Sequence, residues 1–203
     1  MIQDLDETLQ ELLSQELSKK WRSTDFGISF AAPDKEVASS TDAVATTINL
    51  FLYDIRENLE LRSNEWIVER QTNGSALKYP PPVRVDCSYL ITVWVKKSES
   101  VQKDQSERDE HRFLGEVMKI LMRYPKIPTE FLRGSLQGKE PPLRTMALRP
   151  PQSQNWSEFW QVMGGKPKAI LSYTVTIAVD VHKPVEAGKL VQESIINYSQ
   201  FVE

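Results

Sequence analysis

Residues 83–95, VRVDCSYLITVWV, carry an apolar residue at every odd position. Val83, Val85, Cys87, Tyr89, Ile91, Val93 and Val95 form one set, with Arg84, Asp86, Ser88 and Thr92 between them. Successive side chains of a strand point to opposite faces, so the spacing predicts a strand with one apolar and one polar face. A second run repeats the pattern: Ala169, Leu171, Tyr173, Val175, Ile177, Val179 and Val181 against Ser172, Thr174, Thr176, Asp180 and His182. Strands of about 14 residues are about twice the usual length. One apolar and one mostly polar face is the habit of antiparallel strands. The Ser and Thr of the second face suggest a sheet that lies on another protein.

Working outward, Thr46 to Ile55 reads as a third strand, with Ile48, Leu50 and Leu52 on one face and Phe51, Tyr53 and Ile55 on the other. Apolar groups on both faces predict cover on both sides. The polar stretch 54–58 turns the chain, and 59–70 is expected to return as its partner strand, followed by a turn at Asn73-Gly74. Phe26 to Phe30 is a short extended piece. Leu5, Leu9, Leu12, Leu13, Leu17 and Trp21 follow the helical period, and Asp4 with Glu7 has the spacing of a capping box.

A second amphipathic helix, about 107–124, carries Phe113, Leu114, Val117, Met118, Leu121 and Tyr124 on one stripe and stops at Pro125. The Pro/Gly-rich stretch 125–151 has the length of a functional loop. Trp156, Phe159, Trp160 and Met163 predict a short helix ended by Gly164-Gly165, its aromatics serving as a core plug. Residues 186–203 fit helix or strand. The fold class is α+β: a mainly antiparallel twisted sheet with two amphipathic helices packed on it.

Composition narrows the function classes. The 203 residues carry a formal charge of −3, so the basic footprint of a nucleic-acid binder is missing. No apolar stretch approaches the roughly 20 residues of a membrane helix, and the N-terminus does not read as a secretory signal. The single cysteine, Cys87, cannot close an internal disulfide, which fits a reducing, cytoplasmic setting. On the apolar side of its strand it reads as an inert thiol. His111 and His182 lack partners at metal-ligand spacing, and Gly164-Gly165-Lys166 precedes a strand rather than a helix, so it is no phosphate loop. No catalytic, metal or cofactor site is expected. These residues describe an α+β binding or assembly module, and leave open a ligand-binding or enzymatic domain with 125–151 as a lid.

Five stretches go further: MIQDLDETLQELL (1–13), TTINLFLYDIRENLELRSNE (46–65), PPVRVDCSYLITVWV (81–95), EHRFLGEVMKILMRYPKIP (110–128) and EFWQVMGGKPKAILSYTVTIAVDV (158–181). In this order they resemble the cap, or tail-terminator, family of extracellular, phage-tail-like contractile injection systems. The resemblance runs over residues 1–185, leaving 186–203 as a C-terminal tail, a candidate interface extension. It implies a phage tail-terminator-like fold and a structural role without catalysis. Such a subunit closes the end of the inner tube and outer sheath farthest from the baseplate and stops polymerisation. Sheath protein, tube protein and a homohexameric ring are then the partners, and the protein ends in the injection particle. A tail-completion protein of a phage or prophage is the alternative within the same class. Strand addition from the last sheath subunits, onto the long strands, is the implied mode of contact. Partner contacts are expected at Asp54, Arg56, Glu57, Asn58, Glu60 and Arg62, a charged stretch flanked by apolar strand residues.

Overall fold

The structure, a computed structural model, describes residues 1–21, 25–33, 44–72, 75–96, 103–138, 142–148, 156–164 and 167–189. In chain order the elements are α1 (Ile2–Lys20), β1 (Phe26–Ser29), β2 (Thr46–Glu57), β3 (Ile67–Arg70), β4 (Ser75–Tyr79), β5 (Val83–Val95), α2 (Lys103–Arg123), β6 (Arg144–Ala147), α3 (Trp156–Val162), β7 (Leu171–Val179) and β8 (Val185–Lys189). The main sheet has the order β1-β2-β5-β7-β6, and a second sheet the order β3-β4-β8. Among the described residues every pairing of these strands is antiparallel except β1 with β2. The α+β class read from the two alternating runs is therefore borne out.

The alternation of β5 and β7 fixes their register. Tyr89 lies opposite Tyr173, Ile91 opposite Leu171 and Cys87 opposite Val175, while Leu50 and Leu52 of β2 flank Ile91 and Tyr89 from the other side. These residues form the sheet half of the core. Helix α1 supplies Leu5, Leu9, Leu12, Leu13 and Leu17, all buried, and α2 supplies Phe113, Leu114, Val117, Ile120 and Leu121. Each such side chain contributes about 1.5–3 kcal/mol on leaving water. Across the layers the Tyr89 hydroxyl donates to Asp6 Oδ1 of α1 at 2.8 Å, and burial pushes that carboxyl up. The buried Glu16 of α1 pairs with Lys19 and with Arg123 of α2, clamping the two helices together; the Lys19 bond is the main pull lowering its pKa.

Several expectations need correction. β7 is 9 residues long, not about 14. The long strands β5 and β7 lie inside the sheet: β5 pairs with β2 and β7, and β7 with β5 and, over Tyr173–Thr176, with β6, so neither is an edge strand. The return strand expected over 59–70 does not pair with β2. A 3-10 turn at Leu59–Leu61 breaks it, and β3 pairs with β4 instead. The Asn73-Gly74 turn lies outside the described residues.

A bulge between Leu52 and Asp54 inserts an extra residue into β2, so Ile55 comes opposite Cys87. Ile55 thus returns to the face of Ile48 and Leu50 rather than joining Phe51, because one added residue reverses a period of two. Cover on both sides holds for Thr46–Leu50 and fades to exposure by Ile55.

The expected capping box does not form: the helix begins from Met1, without a side-chain cap. Asp4 instead receives the N–H and hydroxyl of Ser135 and pairs with the terminal ammonium. Those bonds, the Ser135 hydroxyl first, hold its carboxyl at about 2. The chain reaches Asp4 through Gly134, whose φ is +53°, and a Cβ there would stand 2.5 Å from the Asp4 carboxyl carbon. Only glycine accepts both demands. Arg133 N–H donates to Thr8 Oγ1 at 3.0 Å, and Ile127, Phe131, Leu132, Leu136 and Leu143 are buried. The described part of 125–151 is therefore a packed floor beneath α1 rather than a lid. Trp160 of α3 is buried, as a core plug would be.

Candidate partner interface

The six residues singled out in the sequence end up close in space but do different work. Beyond the bulge, Asp54 and Arg56 alternate onto the polar face of β2 and pair with each other. Glu57, the last residue of β2, pairs with Arg62 at 3.3 Å. Arg56, Glu57, Glu60 and Arg62 are exposed, and exposed pairs of this kind add little stability. They are available for contact.

Asn58 differs. Its Nδ2 donates to both carboxylate oxygens of Asp86, at 3.1 and 3.0 Å, and its Oδ1 accepts the Leu61 N–H at 3.0 Å. Its own N–H donates to the Arg84 carbonyl at 2.8 Å. Thr176 Oγ1 completes the network, donating to Asp86 Oδ1 at 2.6 Å. Asn58 is thus a peg joining the end of β2 to β5 and, through Asp86, to β7. Its side chain is committed within the subunit.

Sequence reasoning missed the apolar part of this end of the molecule. Leu59 is 66% exposed, Trp66 49% and Val68 54%, and Ile67 and Val185 are exposed beside them in chain and sheet. The edge strand β3 is exposed at every residue and, among the described residues, is paired only with β4. Lys78 of β4 lies 4.8 Å from the centre of the Trp66 ring, holding the indole against the sheet. The signal was available: Trp66, Ile67 and Val68 are three consecutive apolar residues, which no half-buried strand needs. A free edge with adjoining apolar groups can take an added strand or pack on another chain.

Among the described residues no cluster of three or more His, Cys, Asp or Glu could hold a metal ion. Cys87 is buried, and burial pushes its thiol up to about 11, away from nucleophilic use. No helix among the described residues is long and apolar enough to cross a membrane.

The described residues form a mostly antiparallel main sheet with α1 and α2 packed on its core face and an exposed apolar edge at β3. The fold is that of known tube terminators. The chain matches, over its whole length and at 23% identity with a TM-score of 0.64, 64% of the sheath/tube terminator of PVC, an extracellular contractile injection system, in the extended state. Over 91% of its length it matches 60% of the tube-terminating cap of the anti-feeding prophage, at 25% identity and a TM-score of 0.55. The chain therefore spans less than two thirds of either protein. A search of curated proteins finds no match. The family is nonetheless settled: residues 4–193 match the Pvc16 N-terminal domain, and the chain belongs to that family. The resemblance to terminators of contractile injection systems, read from the five sequence stretches, is borne out.

Proposed function

We propose that this chain is a terminator subunit that caps the distal end of the tube and sheath of a contractile injection system and stops their growth. The observation that carries the reading is the family match over residues 4–193, joined to a fold shared with a sheath/tube terminator along the whole chain. Its role is structural and not catalytic: its inventory is of edges, apolar patches and surface charges.

In this reading the direct partners are the last sheath and tube subunits and further copies of the same chain. The copies form a homohexameric ring, which a head-to-tail interface closes when its rotation divides the circle. Residues 1–185 make the terminator domain, and 186–203 extend it into an interface, beginning with β8. Strand addition from the sheath uses the edge strand β3 rather than the long interior strands. Arg56, Glu57, Glu60 and Arg62 supply the charged rim. The subunit is made in the cytoplasm and leaves it only as part of the particle.

The test is the length distribution of sheathed particles, by electron microscopy, in a strain lacking the gene. Overlong, ragged or absent particles, restored by the intact gene, are the expected outcome. Capped particles of unchanged length would overturn the proposal.

A further inference from the structure

Strand β3 turns half of its backbone groups away from β4. Gln71 N–H donates to the Ser75 carbonyl at 2.9 Å, and the same register holds between β3 and β4 from Ile67 to Arg70. Bonding to one neighbour alternates along an antiparallel strand. Ile67 and Glu69 therefore turn their N–H and C=O groups to β4, and Val68 and Arg70 turn theirs outward. All four residues are exposed, and so is Trp66 before them. An open edge bordered by apolar side chains is a template for any strand that fits it.

The strand that fits is β3 itself. When two copies join edge to edge about a two-fold axis normal to the sheet, each residue meets one from the same face, and outward groups meet outward groups. The axis can then pass at Ile67, Val68 or Glu69. Like charges directly opposite each other destabilise a strand pair. An axis at Glu69 sets that carboxylate against its own copy, and an axis at Ile67 sets Glu65 against Glu69. An axis at Val68 has neither fault. It sets Val68 against Val68, Ile67 against Glu69 and Trp66 against Arg70, each unlike contact occurring twice. Lys78 already lies 4.8 Å from the centre of the Trp66 ring, and the partner's Arg70 then adds a second cation to the same indole. Val68, Lys78 and Val185 stand in one row across β3, β4 and β8, and the row continues through the axis into the second copy.

We propose that the unassembled chain closes this edge in a two-fold dimer, β3 paired antiparallel with β3 of a second copy and centred on Val68. The pairing does not depend on the terminator reading. Its consequence for assembly rests on that reading: a sheath strand and a second copy compete for one edge, so the dimer parts before a subunit is incorporated.

The test is sedimentation velocity of the intact chain over a wide range of concentration, with cysteine cross-linking to read the register. The 23.3 kDa subunit should convert reversibly to a dimer as concentration rises. Val68→Lys sets two ammonium groups opposite each other at an exposed position; it should leave the circular dichroism unchanged and weaken the dimer at least about tenfold. Arg70→Glu, also exposed, should weaken it by removing the contact with Trp66. Under a mild oxidant, Ile67→Cys mixed with Glu69→Cys should form an intermolecular disulfide, and Glu69→Cys alone should not; Cys87 is buried and takes no part. A chain that stays monomeric throughout, or an oligomer that neither Val68→Lys nor Arg70→Glu weakens, would overturn the proposal. So would cross-linking of Glu69→Cys to itself, which needs a different register. Particle lengths in the strain lacking the gene test the terminator reading separately, so either idea can fail alone.

Discussion

Asn58→Ala separates a structural peg from a contact residue. The substitution removes two hydrogen bonds to the Asp86 carboxylate and the side-chain cap on the 3-10 turn at Leu59–Leu61. Hydrogen bonds to a charged group are worth about 1.5–3 kcal/mol when buried, and a cap about 1 kcal/mol. The Asn58 site is only half-buried, so water takes over part of the Asp86 solvation and the loss falls to about 2–3 kcal/mol in total. In a chain of this size that lowers the melting midpoint by roughly 4–12 °C. Thermal and urea denaturation of the isolated chain measure it directly. Asn58→Asp keeps the cap but sets a second carboxylate against Asp86, and should cost more than the alanine. A variant Asn58→Ala that melts within about 1 °C of the natural chain yet fails to assemble would refute the argument and return Asn58 to the contact surface.

Other outcomes follow from the same geometry. Charge reversal at Arg56 or Arg62 should leave the melting midpoint within about 2 °C, because both pairs are exposed, but should lower incorporation into particles; intact assembly would remove this rim from the interface. Gly134→Ala should destabilise the fold by at least about 1–2 kcal/mol from the left-handed backbone alone, read by urea denaturation. Asp4 is held at about 2 against an ordinary 3.8, so its contribution is complete above 3.8 and is lost as pH falls through 2. Ser135→Ala should therefore flatten the acid limb of a stability–pH curve measured between those values. Cys87 should resist alkylation by iodoacetamide at pH 8 in the folded chain and react at once in urea, since burial holds the thiol up at about 11.

Much of this protein was legible in one dimension, and the reason is periodicity. The two alternating runs, the leucine stripe of 5–17 and the stripe beginning at Phe113 each encode a local geometry that needs no neighbour to be read, and they gave the α+β class and the core. The five stretches of resemblance added the family. What the sequence could not convey is pairing. Which strand lies beside which depends on contacts between distant residues, so β3 went to β4 rather than to β2, and β5 and β7 turned out to be interior. The bulge at Leu52/Asp54 is a single-residue shift with no composition of its own, yet it decides the faces of Ile55 and Arg56. Asn58, one polar residue among six in the sequence, becomes a committed peg only because the fold brings Asp86 and Thr176 to it. Arg84 reads in the sequence as an ordinary polar-face residue. Only packing in three dimensions shows that it is buried and set between the charges of Asp86 and Arg144, because burial and electrostatic company are properties of the folded surface and not of the chain.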